Sequence, residues 1–523
     1  NKLSTNEYQV KEMKVIKVSI LAEKPSVARR NAEVVGAKTT KDGYLEGNND
    51  LVTWAFGHLG QTTLHEHYGA KGFSRDHLPI IPHEFMLIPR QVRAEKGYKD
   101  DPSALKQLKT IEHVFKQCEK IIVATDAGRE GELIFRLIYD YLASDIYFER
   151  LWISSLTEKA IKEGLIKLKS GTEYDNLYAA AEARSQADWL IGINVSQALS
   201  VAAGNGVYSL GRVQTPTLAM ICSRYLENKN VKPVPFWQMQ LTTSIAGKNI
   251  TATGKDKFSD HAEATAIYNK VRYADTVSAV KVERKETRQE PPLLYDLTTL
   301  QKEANSKHGF SADKTLSLAQ KLYESKYLTY PRTGSRYISD DIFLEIGGLI
   351  NKLKEYNRFA SYAEKLSDVS LNIRPVDDKK VTDHHALLIT ENLPDALHSD
   401  ERIIYEMVAT RMLEAFSSTC IKDVTTVTFG IDDIPFEVKG SVMKRKGWRE
   451  VLNEKEEGTE NNTELPEIHE GEVYPVSSID LQEKQTKPKP LHTESSLLGA
   501  MENCGRDSEN EEQRLTLKTC GIG

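Results

Sequence analysis

The stretch EKIIVATDAGREGELIFRLIYDYL, residues 119–142, sets the fold of the first part of the chain. Its apolar residues Ile121–Val123 are typical of a short buried strand. An acidic turn beginning at Asp126 follows, and apolar residues then recur at helical spacing from Leu133 to Tyr141. Strand, acidic turn and helix in this order are typical of an α/β domain with a mainly parallel sheet.

The same design occurs upstream, in KVIKVSILAEKPSVARR (14–30). The apolar run from Val15 to Leu21 predicts a second strand, and Pro25 suits the first turn of a helix. Glu23 and Lys24 lie between the two. Because open α/β sheets bind ligands at the carboxyl ends of their strands, we expect polar residues from both stretches to meet at one edge.

Further along, the pattern is helical from about 155 to 230 and strand-like from 236 to 290. Helical patterns return over 294–398 and 401–418, and DVTTVTFGI and IPFEVKGSVM are again strand-like. The sequence therefore predicts a β region that is split by a helical insertion.

Composition excludes several classes of protein. The 523 residues carry a net charge of −6, which argues against a uniformly basic nucleic-acid binder. The charge is uneven, however, since residues 281–336 hold eleven Lys or Arg against seven Asp or Glu. A basic groove on an otherwise acidic protein therefore remains compatible with DNA binding.

Other absences narrow the class further. No run approaches the ~18 apolar residues of a membrane span, and no signal peptide is apparent. Five scattered cysteines without a C-x-x-C pair predict reduced thiols and a cytoplasmic location. No G-x-x-x-x-G-K-[ST] occurs, so we expect no nucleotide-driven motor.

The acidic residues suggest a metal site. Asp126 and Glu130 are four residues apart in a turn entering a helix, and Glu23 ends the neighbouring strand. Oxygen ligands of this kind suit Mg²⁺, which keeps several waters. The alternative is an acidic first helical turn, which helices favour for electrostatic reasons.

A second cluster lies in KYLTYPRTGSRYIS, residues 326–339. Tyr330 precedes a proline, which disfavours helical geometry, so its side chain is expected to project just beyond a helix end. Tyr327 is expected to pack, and Tyr337 precedes an N-cap-like stretch. A phenol near Arg332 suits covalent chemistry on a phosphate, and a surface turn with solvated arginines is the alternative.

Three more segments carry weaker signals. SLGRVQTPTLAMI (209–221) opens a helix and offers Arg212 and Gln214 to a nucleic-acid backbone. In ARSQADWLIG (183–192), Arg184 and Asp188 are one turn apart, which is also the spacing of an ordinary ion pair. TDHHALLIT (382–390) contains two adjacent histidines, which are more often structural than metal ligands.

Taken together, these motifs resemble those of the type IA DNA topoisomerases, and among them the topoisomerase III branch. The resemblance covers nearly the whole chain, in the family's order. The matching segments are LAEKPSVAR, WAFGHLGQ (54–61), ATDAGREGE, ARSQADWLIG, SLGRVQTPTL, TYPRTGSRYIS, DHHALLIT and TKPKPLHTESSLLGAME.

The resemblance implies a role for each matched residue. Tyr330 would be the nucleophile that takes the 5′ phosphate, Arg332 would hold that phosphate, and Glu23 would serve the 3′ oxygen with Lys24 beside the scissile phosphate. Glu23, Asp126 and Glu130 would belong to the magnesium site. The residues that would line or shape the DNA path are His58, Arg184, Asp188, Arg212, Gln214 and His384.

It also implies a toroidal, multidomain α/β plus α and β architecture with an N-terminal toprim domain and a split β arch. The predicted parts are 14–155 toprim; 156–234 helical base; 235–293 β arch; 294–398 helical domain with the nucleophilic tyrosine; 399–488 β arch; and 489–523 return to the base. The implied function is ATP-independent cleavage, passage and religation of DNA strands. DNA is the expected partner, a helicase is a further candidate, and the protein is expected to be monomeric and without membrane contact.

Three departures from the family pattern matter. Gly128 replaces the second Asp of the usual D-x-D-x-E, which predicts a higher magnesium requirement that Gly128→Asp would lower. Ile389 replaces a usual proline, with little expected effect. Relatives continue beyond the position of Gly523, so we expect the natural end to lie further on.

Rival interpretations remain. Gly128 is compatible with a catalytically inactive single-strand binder. A nuclease or primase could use the same toprim domain, although neither needs the Tyr330 motif. A reverse gyrase is disfavoured by the missing motor motif.

Overall fold

The computed structural model describes residues 17–95, 97–153, 156–452, 464–507 and 510–522. These residues form two compact units. The first contains the described residues up to Thr215 together with 333–335 and 379–385. The second contains the remainder.

The first unit is built on a seven-stranded sheet with two small hairpin-like pairs beside it. Its strands are β1 (Val18–Ala22), β2 (Thr39–Lys41), β3 (Tyr44–Glu46), β4 (Asp50–Trp54), β5 (Gly60–Thr62), β6 (Leu87–Pro89), β7 (Gln91–Arg93), β8 (Tyr98–Asp100), β9 (Lys120–Ala124), β10 (Phe148–Arg150) and β11 (Lys169–Ser170). The sheet order is β11-β10-β9-β1-β4-β3-β2. Strands β10, β9, β1 and β4 are parallel, and antiparallel strands complete both edges.

Helices cover both faces of this sheet, as a parallel sheet requires. They are α1 (Pro25–Val35), α2 (Pro102–Phe115), α3 (Arg129–Tyr141) and α4 (Glu158–Ile166), and the long helix α5 (Asp175–Ala203) packs against α3. The adjacent residues Ile20 and Leu21 of β1 belong to two different buried clusters, one on each face. The predicted α/β domain with a mainly parallel sheet is confirmed, although Val15 and Ile16 lie outside the described residues.

Helix α6 (Gln214–Asn230) comes next in the chain, and a closed six-stranded barrel follows it in sequence. The barrel strands are β12 (Pro235–Ile245), β13 (Lys248–Gly254), β14 (Thr276–Gln289), β15 (Cys420–Ile431), β16 (Ile434–Arg445) and β17 (Val473–Gln485). Strand β14 pairs with β15 over a sequence gap of more than a hundred residues. One barrel is thus made from both halves of the predicted split β region. The short helix α7 (His261–Val271), which packs on it, was not predicted.

The insertion between β14 and β15 is helical, as predicted. It contains α8 (Leu297–His308), α9 (Ala312–Glu324), α10 (Asp340–Leu353), α11 (Ala360–Ser367) and α12 (Ser399–Phe416), and two helices follow the barrel, α13 (Glu494–Glu502) and α14 (Glu511–Cys520). Helix α12 lies at the centre of this part, because nearly all its residues from Ile404 to Phe416 are buried.

Among the described residues, Cys118, Cys222, Cys420 and Cys504 form no disulfide bond. Within the described ranges, every helix is too short or too polar to span a bilayer.

Candidate active site

The acidic edge of the sheet forms where β1 and β9 end side by side. Ala22 is in register with Ala124, so the residues after them leave the sheet at the same level. The backbone N–H of Asp126 donates to Glu23 Oε2 at 3.3 Å. The structure therefore joins the two predicted strand-end acids directly.

Two nitrogen-bearing side chains hold the Asp126 carboxylate. Lys24 Nζ lies 2.8 Å from Asp126 Oδ2, and His384 Nε2 lies 2.9 Å from the same oxygen. Burial alone would raise the pKa of Asp126, but the hydrogen bond of His384 and the charge of Lys24 hold that pKa well below its usual range. Asp126 is therefore ionised at all working pH values.

The pKa of Glu23 is shifted in the opposite direction. Its side chain is only 13% exposed, and burial, followed by the charge of Asp126, raises its pKa. Lys24 Nζ, at 3.5 Å from Glu23 Oε1, only partly offsets this rise. The pKa values of two neighbouring carboxyl groups are thus shifted in opposite directions, which is the arrangement that assigns an acid and a fixed anion.

Glu130, the third predicted metal ligand, points to another partner. Its Oε2 lies 3.4 Å from His58 Nε2, and this hydrogen bond lowers the pKa of Glu130. Within the described residues, no three side chains of Asp, Glu, His or Cys converge closely enough to hold an ion. Glu23, Asp126 and Glu130 are thus oxygen donors of the right chemistry for Mg²⁺, but they are not gathered into a three-ligand cage. That chemistry still fits an ion held by one or two carboxylates plus water.

A buried arginine that sequence reasoning missed supports the acidic loop from below. Arg150 is 1% exposed and donates to the carbonyl oxygens of Val123, Thr125 and Asp126 at 2.7 to 2.9 Å. Its Nε is 3.0 Å from Oε2 of Glu132, which is fully buried. Glu132, the last acid of the motif, is therefore a structural anchor. The sequence carried no signal for this role, because no strand was predicted around Arg150.

A second missed residue is Asp383. It lies beside His384 in the 379–385 segment, which is part of the first unit. Burial raises the pKa of Asp383, His384 lowers it, and Asp126 raises it again. The Asp383 carboxylate is therefore close enough to His384 and Asp126 for both residues to shift its pKa.

The residues predicted to line a DNA path form two groups in the first unit. Arg184 is half-buried, and its charge contributes to lowering the pKa of Glu130. Asp188 pairs with Arg212, whose Nε lies 2.8 Å from Asp188 Oδ1, and both are about 40% exposed. Gln214 donates to Ser209 Oγ at 2.6 Å, at the first residue of α6. These polar groups remain accessible to a ligand.

The tyrosine stretch belongs to the second unit, except for residues 333–335, which belong to the first. Helix α9 ends at Glu324, and Tyr330 follows in non-helical backbone with its ring edge-on to Tyr323 at 5.3 Å. Tyr327 packs against the helical core, as predicted. Ser339 occupies the N-cap position of α10, also as predicted, although its hydroxyl bonds Asp341 and not the backbone.

The apolar part of DHHALLIT fixes this stretch. Leu388 N–H donates to the Thr329 hydroxyl at 2.9 Å, and Thr329 N–H donates to the Leu388 carbonyl at 3.0 Å. Ile389, at the family's proline position, is 1% exposed and pairs with Leu328. Tyr330 is thus half-buried at the end of a doubly anchored segment, and Arg332 is exposed.

Comparisons with known proteins agree on one family. Residues 18–156 match the model of the Toprim domain, and residues 172–523 match the model of a DNA topoisomerase family. DNA topoisomerase 3 of Bacillus cereus (strain ZK / E33L) is 38% identical over 526 aligned positions, covering 96% of this chain and 69% of that protein. DNA topoisomerase 3 of Bacillus subtilis (strain 168) is 38% identical over 524, covering 97% and 70%.

Among solved structures, full-length topoisomerase I from Thermotoga maritima superposes with a TM-score of 0.66 at 24% identity. The match covers 96% of this chain and 78% of that one. At this identity the match supports the fold, and it agrees with the α/β, α and β composition described above.

Proposed function

This chain belongs to the type IA DNA topoisomerases, topoisomerase III-like, and we propose that it relaxes and unlinks DNA by breaking one strand through a 5′-phosphotyrosine and resealing it. The family membership makes it a DNA topoisomerase. The residue roles, the preferred substrate topology and the metal are the parts that we propose.

In the cleavage step, the Tyr330 phenol oxygen forms a bond to the phosphorus, and the bond between phosphorus and the 3′ oxygen breaks. The phenol loses its proton, and the departing 3′ oxygen gains one. Arg332 holds the phosphate through its fixed guanidinium fork. Because the phosphoester bond is exchanged and not hydrolysed, its energy is kept for religation and no ATP is needed.

Glu23 is the proposed source of the proton for the 3′ oxygen. The observation that carries the proposal is the contrast between Glu23, whose pKa burial raises, and Asp126, which Lys24 and His384 keep ionised. A carboxyl group whose pKa is raised, beside the ion pair of Lys24 and Asp126, suits general acid catalysis near neutral pH. On religation the 3′ hydroxyl returns the proton to the Glu23 carboxylate, and the tyrosine is released.

Lys24 and the divalent ion have supporting roles in this scheme. Lys24 is the cation nearest Glu23 and Asp126, and it contributes positive charge to the scissile phosphate. Asp126, Glu130 and Glu23 are the residues that would hold Mg²⁺, which when bound supplies positive charge for phosphate oxygens. His58, Arg184, Asp188, Arg212, Gln214 and His384 are proposed to line or shape the path of the single strand.

The cellular setting also remains a proposal. A monomeric state, a cytoplasmic location and a helicase partner are predictions from the sequence. Relaxation and decatenation are both proposed, because each needs the same strand break.

The proposed function is tested by trapping the covalent adduct. A 5′-labelled and a 3′-labelled single-stranded oligonucleotide are each incubated with the chain and denatured. The 3′ label lies on the DNA segment 3′ to the break. If only the 3′-labelled oligonucleotide yields labelled protein, the adduct is a 5′-phosphotyrosine. Parallel gels with supercoiled and catenated circles would score strand passage, and binding without any adduct would instead support the single-strand binder.

A further inference from the structure

Gly128 and Asp383 occupy each other's space. The backbone at Gly128 is extended, with φ −163° and ψ 178°, so any residue could adopt it. A Cβ at this position would nevertheless lie 2.3 Å from Asp383 Oδ2 and 2.4 Å from its Cγ. The carboxylate of Asp383 therefore lies where a side chain at position 128 would begin.

This placement bears on an expectation from the sequence. Gly128→Asp alone was expected to add a metal ligand and lower the magnesium requirement. In the structure the new side chain and the Asp383 carboxylate would need the same space, so one of the two must move before position 128 can supply a ligand. Glycine at 128 is explained by the occupied space and not by backbone conformation.

Short hydrogen bonds fix the segment that carries Asp383. The hydroxyl of Thr333 donates to the His384 carbonyl at 2.9 Å, and the hydroxyl of Ser335 donates to the Lys380 carbonyl at 3.0 Å. Both hydroxyl residues are buried. With His384 also bound to Asp126, the two ends of the segment are anchored on either side of Asp383.

A small polar cavity adjoins the two carboxylates. It has a volume of about 20 Å³ and is lined by Asp126, Asp383, His384 and Asn31, among apolar residues. Asn31 is 1% exposed, and in the described part of the chain neither atom of its amide group has a hydrogen-bond partner. A buried amide without a partner is costly, and this cavity is large enough for a water molecule that would satisfy it. The cavity bordered by Asp126 and Asp383 is therefore large enough, and polar enough at Asn31, to hold one water molecule.

We propose that Asp383 supplies to the divalent-cation site the carboxylate that position 128 lacks, acting with Asp126 beside the Asn31 pocket. This inference rests on the proposed function, since it extends the same metal site. The motif around Asp126 has one acid fewer than usual because of Gly128. A carboxylate from Asp383 would restore the number of anionic ligands at this edge of the sheet. The ligand comes from a segment 255 positions further along the chain, since 383 − 128 = 255.

The test measures metal binding directly, in the absence of DNA. Free Mn²⁺ is counted by electron paramagnetic resonance while the chain is titrated into the millimolar range. We compare wild type, Asp383→Asn, Asp383→Gly, Gly128→Asp and the swap Gly128→Asp/Asp383→Gly. Asp395→Asn is the matched control, because it removes the same charge from an exposed residue that belongs to none of the predicted site motifs.

Asp383→Asn should weaken Mn²⁺ binding by at least about 10- to 100-fold, the range found when even an outer-shell partner of a metal ligand is lost. Asp395→Asn should bind as wild type does. The swap should bind more tightly than Asp383→Gly alone, whereas Gly128→Asp alone should melt at lower temperature without any gain in affinity. Melting curves without metal identify any variant that fails to fold.

Three results would overturn the inference: unchanged affinity in Asp383→Asn, a swap no better than Asp383→Gly, or a wild type that binds no Mn²⁺. Covalent adduct is measured on the same preparations. If the wild type forms adduct but Asp383→Asn leaves the Mn²⁺ affinity unchanged, only this inference is refuted. If the wild type forms no adduct, the proposed function is refuted.

Discussion

Glu132→Gln should destabilise the acidic edge far more than its small change in shape suggests. Glu132 is fully buried and accepts from Arg150 Nε at 3.0 Å and from Arg136 Nε at 2.9 Å. The amide would replace one accepting oxygen with a donor that faces a guanidinium. It would also leave the buried charge of Arg150 without its counter-ion.

The magnitude follows from the burial of the pair. Removing one partner of a buried ion pair costs about 3–5 kcal/mol, because the other charge stays desolvated. Taking about 4 kcal/mol, the opening equilibrium of this region should shift by nearly three powers of ten. Since Arg150 also holds the carbonyls of Thr125 and Asp126, the loop that presents Asp126 should open together with β9.

Hydrogen exchange of the full chain, followed by mass spectrometry on peptides that span β9 and α3, is the suitable assay. It reports local opening and does not assume that the two units unfold as one. Glu158→Gln is the matched control, because the same substitution there breaks an exposed pair with Lys162 and should leave exchange unchanged. Equal exchange in both variants would show that Glu132 is not an anchor.

Three further predictions concern the reaction itself. Tyr330→Phe should abolish the covalent adduct and preserve single-strand binding. Tyr327→Phe removes a hydroxyl from a packing residue and should keep the adduct. The reverse pattern in a trapping gel would reassign the nucleophile. Affinity for single-stranded DNA should fall with salt and keep a salt-insensitive part from base stacking, and equal affinity for blunt duplex in a fluorescence titration would contradict the proposed gate. Because the pKa of Glu23 is raised, its protonated form persists above the ordinary range of a glutamate, so adduct yield should fall as pH rises through that pKa. Glu23→Gln should flatten this fall, and an unchanged profile would mean that another group supplies the proton.

The fold was largely predictable because its signals are local. The buried run Ile121–Val123 and the helical spacing after it required no knowledge of distant residues, and both appear as β9 and α3. The helix start at Pro25 and the N-cap at Ser339 rest on backbone chemistry of the same short range. Closure of the barrel was not predictable, because the pairing of β14 with β15 depends on strands separated by the whole helical insertion.

The site was predictable only in part, for a related reason. Motif reasoning placed Glu23 and Asp126 together because parallel strands end at one edge. It assigned Glu132 no role, since its partner Arg150 is brought underneath the loop by a neighbouring strand. It also treated position 128 as a missing acid, whereas the occupant of that space comes from a distant segment.

The charge balance of the edge indicates how an ion would have to bind. Asp126 already has Lys24 and His384 on one oxygen, and Glu130 has His58. A divalent ion therefore competes with Lys24 and with histidine nitrogens for these carboxylate oxygens, so the protein alone can offer it only modest affinity. Mg²⁺ commonly completes its coordination shell with water and substrate phosphate, and a DNA phosphate would supply oxygen ligands that the protein does not provide. On this reasoning the ion should bind more tightly when DNA occupies the site than when it does not.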